Sequence, residues 1–210
     1  GGSITQFSVD SEGALNPMSY LYQVKGKGKD SVRPQQPHLH SVQYSPDGMF
    51  LFATDLGTDK IYRYRSINSV FEGQPALLQS DSMVFITPSG TGPRHFDFHP
   101  NGLHFYLIGE LSGEVIVYDY NMGDLQQKQK IVADSVGAQG SADIHVAPNG
   151  KFLYVSNRLK EDGIAIFKIS SKDGTLTKVG YQTTAKHPRS FAISPNGKFL
   201  LVASKDENAI

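Results

Sequence analysis

Cysteine is absent from the chain, which excludes disulfides and thiolate metal ligands and suits a reducing cytosol without excluding the periplasm. The longest apolar runs are about five residues, far short of the ~20 that a membrane-spanning helix needs. Twenty basic residues balance twenty acidic ones and no block of like charge occurs. Neither a nucleic acid nor a membrane is therefore an expected partner. A net charge of zero still allows a local cationic pocket. No segment carries a convincing period of 3.6 with caps, so helices are not expected. The chain opens on Gly1-Gly2-Ser3, without the charged and then apolar order of a leader. The expected compartment is the cytoplasm, with the periplasm left open. What remains is an ordinary globular composition, 39% hydrophobic and 19% charged over 210 residues, long enough to bury a real core.

The chain repeats. Pro-Asn/Asp-Gly occurs four times, with its proline at Pro46, Pro100, Pro148 and Pro195, at intervals of 54, 48 and 47 residues. An alternating segment precedes each turn: His40–Tyr44, Arg94–Phe98, Ala142–Val146 and Arg189–Ile193. An aromatic-aliphatic run follows each: Phe50–Phe52, Phe105–Leu107, Phe152–Tyr154 and Phe199–Leu201. Proline sets the turn's φ, and Asn/Asp followed by Gly is expected to supply left-handed conformations, so these read as hairpins. Third strands follow at Lys60–Arg65, Glu114–Tyr118 and Gly163–Lys168, and looser fourth strands near Ala76–Ile86, Leu125–Ala133 and Leu176–Thr183. Four antiparallel strands in about 48 residues is the arithmetic of a β-propeller blade. The fold class is therefore all-β, a propeller of four-stranded antiparallel blades.

Residues 1–24 read as a third and fourth strand, Ser3–Val9 and Met18–Val24, without a first two. Phe199–Ile210 breaks off where a third strand should begin. The expectation is one incomplete β-propeller domain over residues 1–210, about four blades' worth, beginning and ending mid-blade. Seven blades would need about 340 residues at this repeat length. An open arc would expose two apolar faces, so the remaining blades of the same propeller are an expected partner.

Aligning the repeats on the turn proline puts His40, Arg94, Ala142 and Arg189 six residues upstream, and Leu56, Glu110, Arg158 and Lys205 ten residues downstream. Because the turn reverses the chain, both sets lie on one face, the first around the channel mouth and the second one step outward. Any one of these charges could be a solvated rim residue. Together they form converging cations with a carboxylate among them, an anion pocket with a group able to move protons.

Other features point less far. His38 and His40 are spaced like ligands on one strand face, but a metal needs a third ligand, and Asp143 and His145 could supply one only by coincidence of fold. No metal and no cofactor are expected. Asp97 and His145 sit three residues before their turn prolines, where a hydrogen bond to a neighbouring blade is the expected role. Lys25-Gly26-Lys27-Gly28-Lys29 has phosphate-cradle composition but lacks the flanking strand and helix. Ser41 and Ser190 lack a nucleophile elbow.

Several of these runs match a family motif by motif. Pro37-His38-Leu39-His40-Ser41-Val42, Ser45-Pro46-Asp47-Gly48, Gly92-Pro93-Arg94-His95 with Glu110-Leu111-Ser112, Ala142-Asp143-Ile144-His145-Val146 and Phe152–Arg158 are similar to the seven-bladed β-propeller lactonase family. That family includes bacterial propeller-type 6-phosphogluconolactonases and fungal 3-carboxy-cis,cis-muconate lactonizing enzymes. The resemblance implies a catalytic set of His40, Arg94, Glu110 and Arg189; His38, Asp143 and Arg158 are the residues expected to contact substrate. Two departures stand out. His187-Pro188-Arg189-Ser190-Phe191 replaces an aromatic before Pro-Arg-Asn-Phe, and Arg33-Pro34-Gln35-Gln36 replaces a more usual Arg-Gln-Glu.

What the resemblance implies is hydrolysis of a sugar-acid lactone of the 6-phosphogluconolactone kind, a small anionic partner. Arg94 and Arg189 would hold the anion and the oxyanion, and Glu110 or His40 would move the proton. A Glu beside two Arg should ionise easily, leaving His40 with an ordinary pKa as the better acid. The alternatives are a muconate-type lactonizing cycloisomerase and a non-catalytic binding platform.

Overall fold

The computed structural model describes residues 1–26, 36–67 and 74–210; Lys27, Lys29 and Arg33 lie outside them. The described secondary structure is all strand, and no helix is long and apolar enough to cross a membrane among the described residues. Strands β1 (Ser3–Val9) and β2 (Leu15–Gln23) pair as a hairpin. A four-stranded antiparallel sheet follows in chain order: β3 (Leu39–Tyr44), β4 (Phe50–Asp55), β5 (Lys60–Ser66) and β6 (Leu77–Ile86). The next comprises β7 (Pro93–Phe98), β8 (His104–Gly109), β9 (Glu114–Asn121) and β10 (Asp124–Val132). The third comprises β11 (Ile144–Val146), β12 (Phe152–Asn157), β13 (Gly163–Ile169) and β14 (Leu176–Thr183). A second hairpin, β15 (Pro188–Ile193) and β16 (Leu200–Ser204), closes the order. These are the propeller blades expected from the repeat.

The Pro-Asn/Asp-Gly turns form for a reason that differs in part from the expectation. Only the glycine is left-handed: φ is 69° at Gly48, 73° at Gly102, 68° at Gly150 and 68° at Gly197. Asp47, Asn101, Asn149 and Asn196 instead accept a hydrogen bond from the N–H two residues on, at 2.9 to 3.0 Å. Short polar side chains that bond the backbone two residues ahead stabilise a turn without leaving the right-handed region. The glycine N–H closes the turn onto the residue before proline, at 2.8 Å in all four.

The middle strands are apolar throughout because both of their faces are buried. In β8, Phe105 and Leu107 pack toward the β3–β6 blade while Tyr106 and Ile108 pack toward the β11–β14 blade. Side chains alternate faces along a strand, so one run serves two blade interfaces. β9 divides likewise, Ile116 and Tyr118 one way, Val115 and Val117 the other. Each such side chain contributes on the order of 1.5–3 kcal/mol when fully buried. Tyr22, Leu51, Ala53 and Tyr62 fill the corresponding interface between β1–β2 and β3–β6.

The first strands of neighbouring blades run side by side, and hydrogen bonds from β4 and β11 tie their blades to β7. Thr54 Oγ1 donates to the carbonyl of Arg94 at 2.6 Å, and the Val146 N–H donates to Asp97 Oδ2 at 2.8 Å. β11 starts two residues later than the sequence suggests. The Asp143 N–H donates to Ser156 Oγ at 3.0 Å, so a side chain takes the place of a ladder carbonyl there.

Candidate functional site

Three of the four first strands slip register at the same place. In β3, Leu39 pairs with Asp55 and Ser41 with Thr54, leaving His40 without an opposite residue. β7 does the same at Arg94, between the Pro93–Gly109 and His95–Ile108 pairs. β15 repeats it at Arg189, between the Pro188–Ser204 and Ser190–Ala203 pairs. An extra residue in one strand breaks the alternation and re-aims its side chain. The bulged residues are the three cationic or titratable members of the set six before the turn proline. The fourth, Ala142, precedes its strand and is fully buried.

His40, Arg94 and Arg189 line one cleft of about 430 Å³, together with His95, Ser190 and Lys205. Glu110 is not part of its wall. It stands behind Arg94, whose Nε donates to Glu110 Oε2 at 2.8 Å, while Nη2 of Arg158 lies 3.4 Å from the same oxygen. The side chains of Arg94, Arg158 and Glu110 are 2%, 6% and 13% exposed. Arg94 Nη1 also donates to the Ala142 carbonyl at 2.5 Å, and Arg158 Nε to that of Gly140 at 2.7 Å. Burial, then the Arg158 charge, lowers the Arg94 pKa to about 10, with Glu110 opposing. Arg94 stays charged at neutral pH. Arg189 is exposed and makes no hydrogen bond or ion pair among the described residues.

His40 differs from the ordinary imidazole expected of it. Burial above all, then the charges of Arg94 and His95, lowers its pKa to about 4. Its Nδ1 is buried without a hydrogen-bond partner, and its ring stands 5.0 Å from that of His95, edge-on. His40 is therefore neutral at physiological pH and is not a stored acid, which corrects that expectation.

Asp143 lies on the channel side, almost fully buried, with every donor around it aimed at its carboxylate. His95 Nδ1 is 2.7 Å from Oδ1. Ser190 Oγ and the Phe191 N–H donate to Oδ2 at 2.9 and 3.1 Å, and the Ile144 N–H to Oδ1 at 3.1 Å. His145 Nε2 is 3.3 Å from Oδ2. Burial alone would raise this carboxyl, but the hydrogen bonds from His145 and His95 outweigh it and hold it far below the usual range. His145 spans Asp143 and Asp97, which lies 3.9 Å from its Nδ1 on the preceding blade. Burial would lower His145, yet the two carboxylates, Asp143 first, raise it. Asp97 makes the cross-blade hydrogen bond expected of it, to the Val146 N–H, whereas His145 faces Asp97 at ion-pair and not hydrogen-bond distance.

Of the seven residues expected at the site, the fold brings His40, Arg94 and Arg189 to one cleft. Glu110 and Arg158 stand behind it as a charge cluster, and Asp143 sits beside it with its oxygens committed to protein donors. His38 is exposed and outside the cleft lining, with its backbone N–H on Asp55 Oδ1 at 2.6 Å. No group of three His, Cys, Asp or Glu side chains able to hold a metal occurs among the described residues. His95 was missed. The alignment that found Arg94 holds it too: five before each turn proline stand Ser41, His95, Asp143 and Ser190, polar in all four repeats.

Four-stranded blades whose first strands bring bulged cations to one cleft define a β-propeller with a cationic mouth. The chain belongs to the lactonase, 7-bladed beta-propeller family, whose model matches residues 1–210. It is 39% identical over 99% of its length to a 6-phosphogluconolactonase of Formosa agariphila and 37% identical over 98% to one of Bacillus subtilis. It spans 59% and 58% of those two proteins. Among solved structures, the periplasmic gluconolactonase PpgL of Pseudomonas aeruginosa aligns at a TM-score of 0.87 and 34% identity, over 97% of this chain and 57% of that one.

Proposed function

We propose that the full-length protein hydrolyses an anionic sugar-acid lactone of the 6-phosphogluconolactone class at this cleft, without a cofactor. The observation that carries the reading is the convergence of three separately bulged residues, His40, Arg94 and Arg189, on one cavity. A bulge is retained where it re-aims a side chain, and a blade needs none of these residues to pack, as Ala142 demonstrates in the third repeat. The exposed Arg189 and Lys205 bind the substrate's anionic group. Arg94, kept charged and immobile by Glu110, faces the carbonyl and stabilises the oxyanion that forms on attack. In this scheme Glu110 and Arg158 position Arg94 and do not touch substrate.

Residues 1–210 form, on this reading, one propeller domain continued by further blades of the same chain. Supporting this, Phe7, Leu15 and Met18 on the first hairpin and Phe199 and Leu201 on the last are exposed, as strands awaiting a neighbour would be. The cytoplasm is the compartment that fits the cysteine-free composition, and the relatives named as 6-phosphogluconolactonases favour hydrolysis over cycloisomerisation.

The test is a panel of lactones and cis,cis-muconates offered to the full-length protein, with acid release by lactone opening or acid uptake by muconate cyclisation followed at constant pH. Turnover of 6-phosphoglucono-δ-lactone is expected. Turnover of the muconates alone supports the cycloisomerase, and turnover of nothing supports a binding platform.

A further inference from the structure

We infer that His95, held by Asp143, is the general base of the hydrolysis; this assignment rests on reading the cleft as a lactonase site. Asp143 can only accept, so at 2.7 Å the His95 Nδ1 carries the proton and donates it to Oδ1. In the neutral imidazole the lone pair is then on Nε2. The neighbour of that nitrogen is a donor, Nη1 of Arg94 at 3.4 Å, which suits an unprotonated acceptor. The imidazole is 27% exposed and lines both the cationic cleft and the adjoining channel-side cavity of about 350 Å³. It therefore meets solvent and substrate where Arg94 meets them.

The other proton-transfer groups are poorly placed. Glu110 lies behind the cleft between two guanidiniums. His40 has no hydrogen-bonded carboxylate to orient it, its Nδ1 being buried without a partner, and burial above all opposes its charging. The Ser190 hydroxyl donates to Asp143 and so is turned away from nucleophilic use. His95 has what each of these lacks: a fixed tautomer, an anionic partner, and a position on the wall.

The step balances as follows. Water attacks the lactone carbonyl carbon as His95 Nε2 takes one of its protons, and the π pair moves onto the carbonyl oxygen beside Arg94. The oxyanion collapses, the acyl carbon–ring oxygen bond breaks, and the ring oxygen recovers the proton from Nε2. The products are the open hydroxy acid and the enzyme in its starting state. Asp143 stays ionised throughout. With donors from Ser190, Phe191, Ile144 and His145 on its two oxygens, it cannot turn, and so neither can the ring it holds.

The experiment uses the full-length protein and 6-phosphoglucono-δ-lactone, with steady-state kinetics of wild type, His95→Ala and His95→Gln and a thermal melt of each. In His95→Ala the expected loss is about 10²–10⁴-fold in kcat with KM nearly unchanged, as for removal of a general base. Added imidazole should restore part of the lost rate, which a structural role would not permit. His95→Gln keeps a polar side chain of similar length and should melt like wild type while remaining as slow as His95→Ala. A kcat within about threefold of wild type in either variant overturns the assignment, since a base supplies far more than that. So does a loss confined to KM, or a loss without imidazole rescue. Wild-type protein that turns over no lactone overturns the underlying reading as well; active wild type with active variants overturns the base alone.

Discussion

Glu110→Gln removes the negative charge between Arg94 and Arg158 while keeping the side chain's shape. Neither guanidinium can swing to water, because both are nearly buried and each is also fixed to a backbone carbonyl. Removing one member of a buried ion pair costs about 3–5 kcal/mol, most of it the penalty of the uncompensated charge left behind. The glutamine oxygen still accepts from Arg94 Nε, which returns about 1 kcal/mol. A loss of roughly 2–4 kcal/mol is therefore expected for Glu110→Gln, and the upper end of the range for Glu110→Ala. Urea unfolding of the full-length protein, followed by circular dichroism, reads this as a lower midpoint at unchanged slope. Activity should fall too, since Arg94 shifts, but less than in His95→Ala. A Glu110→Gln protein as stable as wild type to within about 0.5 kcal/mol, the scale of a neutral surface change, yet reduced 10³-fold or more in kcat on the scale of a lost proton-transfer group, would refute the reasoning and make Glu110 the base.

Three further outcomes follow from the same geometry. Gly48→Ala places a Cβ in open space at φ 69° and should cost about 1–2 kcal/mol by backbone strain alone; Gly150→Ala adds a Cβ 2.8 Å from the His99 ring and should cost more, equal urea midpoints contradicting this. His40 should stay neutral in an NMR titration until the pH approaches 4, whereas a midpoint near 6.5 would contradict the burial argument. The sign is that of a lowered histidine: as pH falls from 6.5 toward 4 the unfolded chain takes up a proton that folded His40 refuses, so this site subtracts stability across that window and nothing above it. Arg189→Ala should leave stability within about 0.5 kcal/mol, as for an exposed residue, and raise KM, with wild-type KM rising with salt; a kcat loss at constant KM would place Arg189 elsewhere in the mechanism.

The fold was legible because its repeat is written in turn chemistry. Pro46, Pro100, Pro148 and Pro195 with their glycines mark four hairpins at even spacing, and the runs between them read as strands buried on both faces. Which turn residue is left-handed is only partly legible, because Asn and Asp can serve a turn through φ or through a side-chain hydrogen bond, and composition does not distinguish the two. The site was legible in position but less so in role. Counting from proline found His40, Arg94 and Arg189, yet strict alternation would have aimed them away from the residues five before the proline. The bulges that bring both registers to one cavity leave no mark in composition. Burial was equally hidden: nothing in the sequence says that Glu110 and Arg158 would be enclosed together, that His40 would lose its charge, or that Asp143 would gather donors from three blades. His95 is inconspicuous for a simpler reason, since Arg94 beside it carries the more obvious charge.

The central claim is that the cleft formed by the bulged residues is where the lactone is opened, and a crystal structure of the full-length protein with 6-phosphogluconate bound tests it most directly. The expected result is the product's anionic group against Arg189 and Lys205, with its carboxylate, the former lactone carbonyl, against Arg94 and within hydrogen-bond reach of His95 Nε2. Product bound at any other surface, in a protein that turns over the lactone, would contradict it.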